Sequence, residues 1–402
     1  MHVAVVTGRF PTVSETFVLD QITGLVDAGH KVTVIASAPR GDVEAHDVVE
    51  EYGLLEQVVY WSGIPGVTWM LEAGRGGLNR RILSELGELA RVIRDSGESV
   101  FRLANRAVHL SRTPRFDAIL CHFGHVGLIC EVLRALGKLR GPLATVFHGW
   151  DMSAFVNRRG DRVYDRLFEK GDLLLPISEF WRRRLVEMGA PKEKVFVQRM
   201  GVDPERFSFR KRRSTGKAVR ILTVGRLVEK KGIRYGIEAF ARLADDFPNA
   251  RYRVIGDGPL REELEDLCTM LGAAKRVEFV GWRTRAEVKK ELGEHHLLVA
   301  PSVRAADGDM EGIPVVLMEA MATGMPVVST RHSGIPELVA DGESGILVEE
   351  RDVAGLAEAL RRLLEERESW GQLGQQGRQI VEKRFSVGQW NRTLVERLEE
   401  MG

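Results

Sequence analysis

The sequence predicts an α/β protein built from two doubly wound parallel-sheet domains, and three observations predict it. Short β-branched runs alternate with longer stretches of helical periodicity, the pattern of repeated βαβ units. A chain of 402 residues exceeds one domain at roughly 150 residues each, so at least two cores are expected. The two halves also begin alike: Thr7-Gly8-Arg9-Phe10 closes the first strand of one, and Val224-Gly225-Arg226-Leu227 closes that of the other.

Taken in order, the first-half strands are expected at His2–Thr7, Lys31–Ala36, Phe116–Cys121, Leu143–Phe147, Leu173–Pro176 and Val195–Arg199. Between the first two, Val18, Ile22, Leu25 and Val26 share a helix face that Gly29 ends. Ser208–Lys217 is polar and structure-poor, a linker signal. Second-half strands are expected at Arg220–Val224, Tyr252–Ile255, Val277–Val280, Leu297–Ala300, Pro326–Ser329 and Gly345–Val348, with a helix over Asp352–Leu364. Trp390, Leu394 and Leu398 then recur at helical spacing within Phe385–Glu399. The domains are expected over 1–205 and 206–384, facing each other, with ligands at the carboxyl ends of the strands.

Composition narrows the function classes. With 58 Lys+Arg against 57 Asp+Glu, the net charge of +1 argues against a dedicated nucleic-acid binder. The three cysteines form no CxxC pair and fit a reducing compartment. Met1–Gly8 lacks a basic leader and reads as a strand rather than a signal peptide. No apolar run approaches the roughly 18 residues of a membrane span, so a cytoplasmic location is expected.

Chemistry concentrates in the second half. Glu311-Gly-Ile-Pro-Val-Val-Leu-Met-Glu319 places Glu319 inside a short, otherwise apolar helix, with Pro314 at its start and Gly324 at its end. A carboxylate there needs a partner, either a buried Arg or cap, or ligand hydroxyls. Arg226 and Lys231 follow a parallel strand and can clamp a diphosphate, the Arg as a fork and the Lys as a point charge; the alternative is a solvated basic helix start. The Gly256-Asp-Gly258 turn offers backbone amides beside a helix start. Asp307-Gly-Asp309 is of the DxD kind but lies in a loop, and reads as incidental loop charge. His122 and His125 have no four-ligand spacing around them, so no metal is expected.

Together, Glu311-x7-Glu319, Gly225-Arg226-Leu-x3-Lys231-Gly, Ile-Gly256-Asp-Gly258-Pro and His148-Gly149 resemble the retaining GT-B glycosyltransferases of family 4. Arg9-Phe-Pro-x-x-Ser14-Glu15-Thr16-Phe17, Gly-Asp-x-Glu311-Gly-Ile-Pro and Ser329-Thr-Arg-His332-Ser-Gly-Ile-Pro-Glu337-Leu look like the colanic-acid and exopolysaccharide branch. The resemblance implies the GT-B fold: two facing Rossmann-like domains with the chain's end, 385–402, packing back on the first. It implies a metal-independent hexosyltransferase whose nucleotide-sugar is a co-substrate, with no cofactor.

Residue by residue, it implies catalytic roles for His148 and Glu311. Donor binding would fall to Arg226, Lys231, Gly256, Gly258, Glu319 and the amides of Val315 and Val316. Acceptor binding would fall to Ser14, Glu15, His122 and Asp151. Where the family usually has Phe-Gly, this chain has Ile313-Pro314, and the proline removes one amide donor. Domain closure, with Met200–Asp203 and the last segment as hinges, is implied as well.

Between Gly74 and Arg115 lie nine Arg, no Lys and four acidic residues. There Leu78, Ile82, Leu86, Leu89 and Ile93 form a helical stripe flanked by Arg80, Arg81, Arg91 and Arg94. Two readings stand: a peripheral contact with an anionic membrane surface, or a domain helix with a solvated face. The expected partners are a nucleotide-diphosphate sugar (UDP-sugar first, GDP-mannose second) and a saccharide acceptor, lipid-linked on the first reading and small and soluble on the second. A nucleotide-sugar sensor without activity is the alternative of another class. A nicotinamide dehydrogenase is disfavoured, because no complete GxGxxG follows an opening strand.

Overall fold

The computed structural model describes residues 1–12, 15–38, 47–61, 99–111, 113–212 and 218–402. They form two compact units: Met1–Ile177, Trp181–Gln198 and Gln389–Gly402 in the first, Ser178–Phe180 and Arg199–Gly388 in the second.

The first unit holds β1 (His2–Arg9), β2 (Lys31–Ser37), β3 (Val58–Tyr60), β4 (Ala118–His122), β5 (Leu143–Phe147) and β6 (Leu173–Pro176). They form one sheet in the order β3-β2-β1-β4-β5-β6, every pair parallel. Strands covered on both faces must be apolar almost throughout, and Val3–Val6, Ile119–Cys121 and Leu143–Phe147 are buried along their whole length. Thr16–Asp27 is the expected helix, with Val18, Ile22 and Leu25 on its buried face.

One strand differs from expectation. Val195–Arg199 makes a single bridge, Val195 to Leu174, and no strand of its own. It still runs beside β6, the Phe196 and Gln198 amides donating to the Leu174 and Pro176 carbonyls at 3.0 and 2.9 Å, while on its other side Arg397 Nη1 donates to the Val197 carbonyl and Gln198 Nε2 to that of Trp390. The sixth strand is instead β3, whose three residues are too few to show a period. The helix Val387–Glu399 supplies these contacts; Asn391 Nδ2 reaches the Asp20 carbonyl at 2.8 Å, and Leu394 and Leu398 are buried.

The second unit holds β7 (Val219–Val224), β8 (Ala250–Ile255), β9 (Val277–Phe279), β10 (Leu297–Ala300), β11 (Val327–Thr330) and β12 (Ile346–Val348). Their order, β12-β11-β10-β7-β8-β9, repeats the first sheet's connectivity. Its core joins Val254 and Tyr252 to Ile237, Phe240 and Leu243 of the helix Ile233–Leu243 and to Leu356, Leu360 and Leu363 of Val353–Glu365. Asp352 caps the latter helix by accepting the Gly355 amide at 2.8 Å.

In each sheet the direction of winding reverses once, between β1 and β4 and between β7 and β10. Loops at the carboxyl ends diverge there and leave a crevice for ligands. Among the described residues no helix is long and apolar enough to cross a membrane. The stripe from Leu78 to Ile93 and its arginines lie outside the described residues. Of the Arg-rich stretch, the helix Val100–Leu110 is described, and its Arg106 sits over the buried Trp61 ring at 4.6 Å.

Candidate active site

At the winding reversal of the second unit, β7 ends at Val224 and the chain turns through Gly225-Arg226 into a short helical turn, Glu229–Lys231. Arg226 is exposed and makes no ion pair with any described residue. The turn closes on Gly232 with φ 61°, and a Cβ there would lie 1.9 Å from the Pro301 carbonyl, so only glycine lets the turn press against the loop after β10. That loop carries Glu311. Lys231 Nζ lies 3.0 Å from Glu311 Oε2, and Lys230 Nζ lies 3.4 Å from Glu311 Oε1.

The Glu311 side chain is 11 % exposed. Burial works to raise its pKa, but the Lys231 and Lys230 ammoniums and the Lys231 hydrogen bond outweigh burial and bring it down to about 2. Glu311 is therefore ionised at any working pH. Its backbone is fixed as well: the Glu311 amide donates to His332 Nε2 at 3.0 Å, and His332 Nδ1 meets Glu350 Oε1 at 2.6 Å. An amide can only donate, so Nε2 is the acceptor and the ring proton sits on Nδ1, pointing at Glu350. Glu350 also accepts the Arg304 amide at 2.7 Å.

Pro314 takes the cap position of the helix Val315–Ala322, one place before the N1 position read from sequence. The amides of Val315 and Val316, in the first turn, have no intrahelical acceptor, and no side chain caps this helix. Glu319 stands four residues beyond Val315 on the same face and is 9 % exposed.

Gly256 and Gly258 need a correction. The Gly256 amide donates to the Gly281 carbonyl at 2.9 Å and that of Gly258 to Asp257 Oδ1 at 2.7 Å, so neither is on offer to a ligand. Their contribution is steric. At φ 133° and 159° a Cβ would sit 1.9 Å from the Gly225 carbonyl and 2.6 Å from that of Leu227. These glycines let the β8 turn pack on the β7 turn and fix Arg226 in place.

In the first unit, His122 ends β4 and His148 follows β5, so parallel pairing brings the two rings together. Their centroids are 5.5 Å apart, with His122 Nδ1 3.4 Å from His148 Nε2. Phe17 and Phe123 flank His148 at 4.7 and 4.5 Å. Burial drives the His122 pKa down to about 3 and that of His148 well below its ordinary value, with His122 and His125 adding to the latter. The pair is uncharged at neutral pH. His122 is completely buried and meets His148 rather than solvent, so direct acceptor contact, expected of it from sequence, does not fit.

Asp151 also departs from the role expected of it. It is completely buried, with Oδ2 accepting the Gly124 amide at 2.7 Å and Oδ1 that of His148 at 3.0 Å. Its carboxylate joins the start of the helix Gly124–Ala135 to the backbone of His148, which makes it a positioning residue and not an acceptor ligand. Glu15 caps the first turn of Thr16–Asp27, where its carbonyl accepts the Val18 amide, and its side chain meets Thr7 Oγ1 at 3.4 Å. Ser14 lies outside the described residues.

Two family models match the chain: Glycosyltransferase Family 4 over residues 14–206 and Glycosyl transferases group 1 over 204–380. WcaL of Salmonella typhimurium, whose name assigns it to colanic acid biosynthesis as a glycosyltransferase, is 40% identical over 366 residues, 88% of each chain. The chain belongs to the GT-B glycosyltransferases of family 4. AmsK of Erwinia amylovora, an amylovoran biosynthesis glycosyltransferase, is 37% identical over 377 residues, 90% of each chain. The crystal structure of Anabaena HepE in complex with UDP-glucose shares the fold, with a TM-score of 0.76 over the full length of both chains at 18% identity.

Sequence reasoning about this glycosyltransferase missed three residues at its second-unit site. Asp309 is not incidental loop charge, because its carboxylate lies 3.1 Å from Lys230 Nζ. Lys230 itself was hidden beside Lys231. His332 carried a signal, a histidine within a recognised motif, but nothing in sequence ties it to a backbone amide 21 residues earlier.

Proposed function

We propose that this glycosyltransferase moves a sugar, with retention of configuration, from a nucleotide-diphosphate sugar to a hydroxyl of a lipid-linked saccharide in cell-surface polysaccharide assembly, working at the cytoplasmic face of the membrane. A UDP-sugar is the first donor to test and GDP-mannose the second. One observation carries the reading: an ionised, nearly buried Glu311 meets Lys231 beside the exposed Arg226, at the winding reversal of the second sheet. The names of WcaL and AmsK support the polysaccharide context.

In this reading Arg226 and Lys231 grip the donor diphosphate and stabilise the negative charge that grows there as the sugar leaves. The Val315 and Val316 amides add the positive end of a helix. Glu311 accepts hydrogen bonds from the sugar hydroxyls and orients the anomeric carbon, while Glu319 accepts those of the ribose. His148 contributes a neutral polar edge to the donor sugar. The anomeric carbon–oxygen bond to the diphosphate breaks and the acceptor oxygen bonds to the same face. The acceptor's proton passes to the leaving diphosphate oxygen. Neither a protein nucleophile nor a metal takes part in this scheme.

A thermal-shift panel of UDP, GDP, UDP-glucose, UDP-galactose, GDP-mannose and NAD tests the donor class. Stabilisation by a nucleoside diphosphate and its sugar is the expected result, and stabilisation by NAD alone would sink the reading. An NMR time course of the product anomer tests retention; an inverted product excludes the same-face route.

A further inference from the structure

Lys230 and Lys231 are neighbours in sequence with different surroundings. The Lys230 side chain is 10 % exposed, and its Nζ lies 3.1 Å from Asp309 Oδ2 as well as 3.4 Å from Glu311 Oε1. Its carbonyl accepts the Val303 amide at 2.9 Å, and Glu229 Oε2 accepts that of Ala306 at 3.0 Å. The 229–231 turn is thereby stitched to the loop carrying Asp309 and Glu311. Asp309 is oriented in turn, since its own amide donates to Asp307 Oδ1 at 3.0 Å. Lys231 has a looser place. Its side chain is 19 % exposed and Glu311 is its carboxylate partner among the described residues.

Two ammoniums thus share one buried carboxylate. A donor diphosphate arriving at Arg226 competes with Glu311 for Lys231. Were Lys231 the sole counter-ion, Glu311 would be left as an unpaired buried charge when it must hold the sugar, a state costly in low dielectric. We propose that Lys230, braced by Asp309, is the fixed counter-ion and positioning residue of Glu311, and that Lys231 is the exchangeable partner that turns to the donor diphosphate. The inference rests on the donor-site reading above. It divides the Lys-Lys pair into one residue for substrate binding and one for keeping the carboxylate charged and in place.

The test separates affinity from turnover in the full-length chain. Calorimetric titration with UDP and GDP measures nucleoside-diphosphate affinity. Nucleotide release from whichever of UDP-glucose, UDP-galactose or GDP-mannose the wild type hydrolyses measures saturated turnover. Lys231→Met is expected to weaken diphosphate binding tenfold or more. Lys230→Met should leave that affinity within threefold while lowering saturated turnover at least tenfold, and Asp309→Asn should give the same split in weaker form. The proposal is overturned if Lys230→Met weakens diphosphate binding as much as Lys231→Met, or leaves both quantities unchanged. Should Lys230→Met fold poorly by its melting curve, Asp309→Asn decides: unchanged turnover overturns the proposal, and a turnover loss at constant affinity supports it. Unchanged diphosphate binding in Lys231→Met also overturns the proposal, whereas a wild-type chain that binds neither UDP nor GDP and hydrolyses none of the donors overturns the donor-site reading on which it rests.

Discussion

Asp151 and the His122–His148 pair show how little of the first-unit site reaches solvent. Asp151→Ala removes the acceptor of two buried amides, each worth about 1–3 kcal/mol when left unpaired. A fall in stability of roughly 2–6 kcal/mol is expected, read from the urea midpoint, with activity falling because the His148 backbone loses its anchor. The histidines make a pH prediction. The His122 pKa lies near 3 in the fold against the ordinary 6.5, so the unfolded chain takes up a proton first as pH falls. Stability is therefore unaffected above about pH 7 and lost progressively below 6.5, by about 2 kcal/mol from His122 at pH 5. His122→Asn should have a shallower acid limb in urea unfolding between pH 7 and 5, whatever its stability at pH 7. Glu311 has the same sign in a lower pH window, since its carboxyl too is held below its ordinary pKa. Its pairing stabilises the fold above the ordinary 4.5 and is lost only as pH falls toward about 2, so it adds nothing to the pH 5–7 slope. Glu311→Ala should cut turnover about a hundredfold or more by removing a preorganised charge, with circular dichroism unchanged.

Turns and loops, more than helices and strands, set the chemistry at the scale of elements. The β7 and β8 turns meet because Gly256 and Gly258 carry no side chain. Gly256→Ala would place a Cβ 1.9 Å from the Gly225 carbonyl at a φ of 133°. A loss of about 3 kcal/mol or more is expected, together with weaker nucleoside-diphosphate binding as Arg226 is displaced; calorimetric titration checks the second effect. Glu337, at the start of the helix Ile335–Leu338, accepts the Glu179 and Phe180 amides at 3.1 and 2.9 Å and pairs with Arg199. That carboxylate ties Glu179 and Phe180 to the second unit. Element positions were legible in sequence because alternation and helical spacing report burial directly. Lys230 and Asp309 were not, since their pairing joins a turn to a loop 79 residues away and leaves no period in the sequence. Asp151 misled for a related reason: a carboxylate three residues past a histidine looks like a ligand until its amide partners are seen.

The whole molecule folds as two units whose chain segments interleave, and this has a consequence for the C-terminus. Gln389–Gly402 belongs to the first unit although the 190 residues before it, Arg199–Gly388, form the second. Ending the chain after Gly388 removes Leu394 and Leu398, each worth roughly 1.5–3 kcal/mol of burial, and the Asn391 and Arg397 bonds to Asp20 and Val197. Differential scanning calorimetry should then show the first unit's transition moving down and the second's staying in place; equal shifts in both would contradict the division. Residue order was enough to give the α/β class, the two sheets, eleven of their twelve strands, and Arg226, Lys231, Glu311 and His148 as candidates, because strand burial and recurring motifs are written locally. Tertiary structure alone decided which partners those residues have. It showed that Glu311 is held by two lysines and a histidine-bound amide, that Gly256 and Gly258 act by absence of bulk, and that Asp151 and His122 support His148 from within. Charge pairing and burial depend on distances across the fold, and no local pattern encodes them.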